Sequence, residues 1–300
     1  MCEHEFNMTD SALLSFILLG LSICAVWIRG IAIGGQGVVI PAWLPLFLVA
    51  VGTAFMSHII DWRAIIALAA LAGICTWSMR ESRPILSDLL AGVAALLALA
   101  LALHVLPGFD NPVVVSQVHL SGKAAPFTQY ANFDKGSAGL LLLAFYCRRA
   151  ATLSEWRSVL TTTALAAIAT GTAVIACALA IGYAAPEAKL PAFALTFLSV
   201  NLLFTCVAEE AFFRGLLQER MTRTIAAYPM LRWVPIVASA TVFGAAHFAG
   251  GPSLVVLATI GGIGYSLAYA ATRRVEAAIL THFGANAIHF FGFTYPHLQA

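Results

Sequence analysis

The sequence predicts an all-α fold, a polytopic transmembrane helical bundle of about ten spans, with eight to ten as the range. Three observations carry that expectation. Hydrophobic residues make up 61% of the 300 residues and charged residues only 10%, where a soluble domain has about 45–50% and about 25%. So few charges cannot cover a water-facing surface, so the solvent around most of the chain is lipid. Apolar runs fill most of the sequence, many of them close to the roughly 20 residues that a spanning helix needs. The basic residues, finally, fall into a pattern that only a membrane topology explains.

In order, the runs are 11–28, 38–60, 64–79, 85–106, 137–147, 159–183, 192–217, 233–250, 252–271 and 276–292. Before the first lie Glu3, Glu5 and Asp10 with no Lys or Arg. A signal peptide starts basic, so this run is expected to be a retained span. The third and fifth runs are short for spans. Ala94 to Leu103 is almost pure Ala and Leu, which suits close helix packing in lipid. The longest connection, Pro107 to Gly136, is polar and rich in Pro, Gly and Asn. No repeat of fixed period is visible.

If the N-terminus is outside and the spans alternate, twelve of the sixteen basic residues, from Arg29 to Arg274, collect on the inner side. Arg63, Lys123, Lys135 and Lys189 stay outside. That bias follows the positive-inside rule and puts both termini outside. Cations scattered between spans form no nucleic-acid patch, so no nucleic-acid partner is expected. The cysteines at 2, 24, 75, 147, 177 and 206 contain no CxxC pair and read as small, mostly buried side chains. Neither a disulfide framework nor a zinc ribbon is implied.

Carboxylates inside a span need a reason, because each costs about 2.5–3.5 kcal/mol on insertion scales. The seventh run nevertheless holds adjacent Glu209 and Glu210, with Arg214 after them. Residues four apart share a helix face, and Glu before Arg is the favourable order, so Glu210 pairs with Arg214. Glu209 points about 100° away. A carboxylate without its own cation in a low-dielectric site holds its proton more tightly, as a general base near neutral pH must. Span eight supplies Phe243 and His247, and span ten supplies His282, Asn286 and His289 on one stripe. Three helices with polar groups beside small residues read as one site in a bundle interior. At about 1.5 Å per residue, Glu209 and His247 both land near mid-depth.

The ordered patterns E-E-x-x-x-R (Glu209, Glu210, Arg214), F-x-x-x-H (Phe243, His247) and H-x-x-x-N (His282, Asn286) resemble the CPBP family. That family comprises CAAX prenyl endopeptidases and the bacteriocin-processing or self-immunity proteins called Abi. The resemblance covers 192–292, which divides the chain into a protease core at 192–300 and a transmembrane region without a recognised motif at 1–191. It implies a multi-pass integral membrane endopeptidase acting on a membrane protein or a lipidated peptide. Glu209 would activate water with help from His247, while His282 and Asn286 stabilise the oxyanion. Arg214 would hold Glu210 and fix the face from which Glu209 projects. No cofactor is certain. Glu209, His247 and His282 are the ligand set for one divalent metal, zinc, which is the alternative to glutamate-activated water. A non-proteolytic scaffold or immunity protein is the second reading. A proton-coupled transporter is the third, and it would show internal repeats.

Overall fold

The computed structural model describes residues 8–33 and 38–299. Cys2, Glu3 and Glu5 lie outside the described residues. Each of the ten apolar runs contains a helix. In chain order the helices are α1 (Asp10–Ala25), α2 (Trp43–Met56), α3 (Trp62–Arg80), α4 (Pro84–Ala102), α5 (Phe133–Tyr146) and α6 (Leu153–Ala180). They continue with α7 (Ala194–Thr224), α8 (Val234–Ala245), α9 (Gly251–Thr272) and α10 (Val275–Gly292). Five of them are long and apolar enough to cross a membrane: α3, α4, α6, α7, and α9 together with the short turn before it. The remaining five are shorter or less apolar. The 14 residues of α5 reach about 21 Å at 1.5 Å per residue, less than a hydrocarbon core of about 30 Å.

Two small strand pairs were not expected from the sequence. β1 (Ile31–Ile33) pairs antiparallel with β2 (Val38–Ile40), with Ile31 opposite Ile40. The second span was expected from residue 38, but helix begins only at Trp43. In the polar connection, β3 (Val113–Val118) pairs with β4 (Phe127–Tyr130). The run Val113-Val-Val-Ser-Gln-Val carries the β-branched residues that favour a strand.

The backbone divides into two compact units. One comprises Met1–Val114, Gln129–Tyr146 and Leu203–Ala208; the other comprises Val115–Thr128, Cys147–Leu202 and Glu209–Ala300. In the first unit, α5 is the central helix. Every residue from Gly136 to Leu143 is buried, as expected of a helix apolar on all sides. Gly139 leaves room for a close approach, because a Cβ there would lie only 2.6 Å from the Cα of Ala208. Phe16 meets the rings of Phe133 and Phe204 edge-on at 5.7 and 5.9 Å. Asp61 caps α3 by accepting the backbone N–H of Arg63 at 2.8 Å. The Arg63 guanidinium beside it holds the Asp61 carboxyl below its usual range.

In the second unit, α9 packs against α6, α8 and α10, and α6 also packs against α10. Small residues allow these approaches. A Cβ on Gly244 of α8 would meet Thr259 Oγ1 at 1.9 Å, and one on Gly264 of α9 would meet Thr170 Oγ1 at 2.0 Å. The polar residues described next are all in this unit.

Candidate functional site

The paired glutamates sit at an unusual point of α7. Asn201–Cys206 and Ala211–Gln218 are wound in the wider turn that bonds residues five apart, and only Val207–Glu210 between them is α-helical. Such turns are rare and recur at functional sites. No spacing in the sequence announces them.

Glu210 and Arg214 are both fully buried. Arg214 Nη1 donates to Glu210 Oε1 at 3.1 Å, and Arg214 Nη2 donates to the carbonyl of Gly262 at 2.9 Å. The guanidinium carbon lies 4.8 Å from the ring centre of Phe243 and 5.4 Å from that of Tyr265, within cation–π range. Burying this cation is therefore compensated by a carboxylate, a carbonyl and aromatic faces. The favourable four-residue order read from the sequence survives the wider turn.

Glu210 has a second partner that sequence spacing could not reveal. His282 Nδ1 lies 2.8 Å from Glu210 Oε1. A carboxylate only accepts, so Nδ1 is the nitrogen that carries a proton. The other nitrogen, Nε2, lies 4.0 Å from Glu209 Oε2. His282 thus stands between the two glutamates, one at each ring nitrogen. Tyr265 stacks flat on its ring, with centroids 4.4 Å apart and planes 14° apart, while Phe243 meets it edge-on at 5.6 Å. Bonded at one nitrogen and stacked on one face, the ring has little freedom to turn.

His247 follows α8, and its Nδ1 is 2.8 Å from the carbonyl of Phe243. That carbonyl must accept, so Nδ1 donates and Nε2 is the acceptor of a neutral ring. Asn286 Nδ2 donates to Asn201 Oδ1 at 3.3 Å. His247, His282, Asn286 and His289 line one cavity of ≈ 120 Å³, whose apolar wall includes Val174, Leu254 and Leu257. A water molecule occupies about 30 Å³ of liquid, so the cavity has room for a nucleophile beside a small group.

All six residues singled out from the sequence are therefore accounted for. Glu209, Glu210, Arg214 and His282 form one connected set, and His247 and Asn286 share the cavity wall with His282. Glu209 comes close to His282. Sequence reasoning missed Tyr265, Gly262 and Asn201. The cluster Gly261, Gly262, Gly264 around Tyr265 was the available signal, since glycines in a span mark close approach.

A zinc ion bound by Glu209, His247 and His282 would need all three within about 2.0–2.2 Å of one point. Among the described residues no three His, Cys, Asp or Glu side chains are placed to hold a metal ion. His282 Nδ1 is held by Glu210, so Nε2 is the nitrogen it has left for a ligand.

The same stretch of chain carries the family signature. Residues 191–288 match the Rce1-like family of type II CAAX prenyl endopeptidases. The matched stretch contains all six residues. That match supports, at the level of the family, a CAAX-type protease, and with its five helices long and apolar enough to cross a membrane the chain is an integral membrane protein. Nothing matches among curated proteins or solved structures.

Proposed function

We propose that the chain is an intramembrane endopeptidase that cleaves a membrane-associated or prenylated protein or peptide with glutamate-activated water. The observation that carries the proposal is the buried set around His282, with a carboxylate at each ring nitrogen and an adjoining cavity in the bundle. The short helices α1, α2, α5, α8 and α10 would join the five long ones in a bundle of about ten spans.

In this reading Glu209 is the base. It takes one proton from a water in the cavity, and His247 Nε2 accepts a hydrogen bond from the other. The oxygen adds to the scissile carbonyl carbon. His282 and the Asn286 amide then donate to the oxyanion, as preorganised donors must. With Glu209 and Glu210 ionised and Arg214 protonated, the set carries one negative charge. A proton on His282 cancels that charge and makes Nε2 a donor. Collapse of the intermediate breaks the C–N bond, and Glu209 returns the proton to the leaving amine. Glu210 and Arg214 position His282, because one carboxylate oxygen holds both. Glu209 rather than a metal ion activates the water.

The test begins with a survey of membrane and prenylated peptides for cleavage by the purified chain. Glu209→Gln keeps the shape and removes the base. Turnover should fall by about 10²–10⁴ while the variant melts like the parent. A folded Glu209→Gln variant that cleaves at the full rate would overturn the assignment.

A further inference from the structure

Three long helices have an end in one polar cluster away from the catalytic set. α6 begins at Leu153, α7 ends at Thr224 and α9 ends at Thr272. The chain around these ends is tied together by local bonds. The N–H of Val275 donates to the carbonyl of Arg148 at 3.1 Å, and that of Ala150 donates to Glu276 Oε1 at 2.7 Å. Arg274 pairs with Glu155.

At the centre is Glu219, only 2% exposed. Its Oε2 accepts from Tyr269 Oη at 2.7 Å and pairs with Arg273 Nη2 at 2.6 Å. Its Oε1 accepts from Arg223 Nε at 2.9 Å and lies 4.0 Å from Arg148 Nη1. One carboxylate therefore faces three guanidinium groups. Their side chains are 51% (Arg148), 63% (Arg223) and 31% (Arg273) exposed, so the surplus positive charge faces outward. The nearby sequence does not restore balance. Residues 147–157, 219–224 and 273–276 hold seven arginines and three glutamates, and Glu219 and Glu276 are both buried. Arg273 also has a left-handed backbone, φ 56°, at a helix end where glycine is usual.

We propose that Arg148, Arg223 and Arg273 form a binding site for the phosphate headgroup of an anionic lipid. Three cations around one buried anion leave donors to spare, because each guanidinium has five N–H groups. The planar fork fits phosphate oxygens in pairs. The location selects a lipid over a soluble anion. Membrane-helix ends lie at headgroup depth, where basic clusters attract anionic lipids. Leu153 and Leu160, on the first turns of α6, are 69% and 55% exposed and offer acyl chains an apolar surface.

The experiment uses the full chain in nanodiscs of phosphatidylcholine, alone or with phosphatidylglycerol. Two readouts are taken, the melting temperature and the lipid retained in native mass spectrometry. Phosphatidylglycerol should raise the melting temperature of the parent and remain bound. Arg148→Gln and Arg223→Gln should each weaken that retention by about fivefold, and the two together should abolish the rise. If the double variant does not fold, Arg148→Gln alone decides, because it leaves the Arg273–Glu219–Tyr269 contacts in place. Equal retention by Arg148→Gln and the parent would overturn the proposal. So would a full rise produced in phosphatidylcholine discs by inorganic phosphate or by an acidic peptide. None of these readouts depends on cleavage.

Discussion

Helices α4 and α7 are both long enough to cross a membrane, and they invert the rule learned from soluble proteins. The spanning window of α4 has mean hydropathy 2.3 with 22% of it buried, while that of α7 has 1.4 with 50% buried. The more apolar helix is the less covered by protein. On α4 the large side chains Ile85, Leu89 and Leu96 face outward and the small Ala91, Ala94 and Ala98 face inward. On α7 the stripe Glu210, Arg214, Gln218 is withdrawn from the surroundings, with none of the three more than 1% exposed. Where lipid is the solvent, apolar side chains lose nothing by facing it, and polar groups must find partners inside the protein.

The sharpest way to break this contrast is to remove one charge from the α7 stripe. Arg214→Ala leaves Glu210 buried beside His282 without its cation, a loss of about 3–5 kcal/mol. The variant should unfold at a markedly lower temperature or denaturant concentration in detergent, and it should be inactive because His282 loses its fixed partner. A variant as stable as the parent would mean that Arg214 serves the substrate rather than the bundle.

That pair was legible in the sequence, and the rest of the set was not, for a physical reason. Glu210 and Arg214 are four residues apart, so helix geometry alone brings them together. Glu210 and His282 are 72 residues apart, and their meeting depends on how α7 and α10 pack. Polar groups on three helices suggested one site, but not which groups touch, and the family resemblance assigned His282 to the oxyanion without its bond to Glu210. Tyr265 was invisible because a tyrosine in an apolar helix looks like an interface anchor, and its partner is a ring on another helix. The ten apolar runs were legible as helices because hydropathy reports the solvent directly. Their ends were not. Val38–Ile40 is as apolar as a span but pairs as a strand, and helix waits for Trp43.

A weaker test compares two leucines on α4, five residues apart. Leu101 is fully buried in its unit. Leu101→Ala removes packed atoms and leaves a cavity, at about 2–5 kcal/mol. Unfolding in mixed micelles should show the whole of that loss, since cavity formation does not depend on the solvent outside. A loss below about 1 kcal/mol, well under the range for such sites, would mean that α4 relaxes to fill the space.

The smallest effect is the most discriminating. Leu96 is 70% exposed, and in water a leucine so placed would gain from burial or from truncation. In lipid it does neither. Leu96→Ala changes only how well the helix partitions into the bilayer, a few tenths of a kcal/mol on insertion scales. Its unfolding midpoint should stay close to that of the parent, far from that of Leu101→Ala. A Leu96→Ala variant as unstable as Leu101→Ala would show that the exposed side of α4 is covered by protein in the membrane, by a second copy or another chain. The contrast between α4 and α7 would then reflect a missing neighbour, and hydropathy alone would no longer distinguish lipid from protein as the surroundings of a helix.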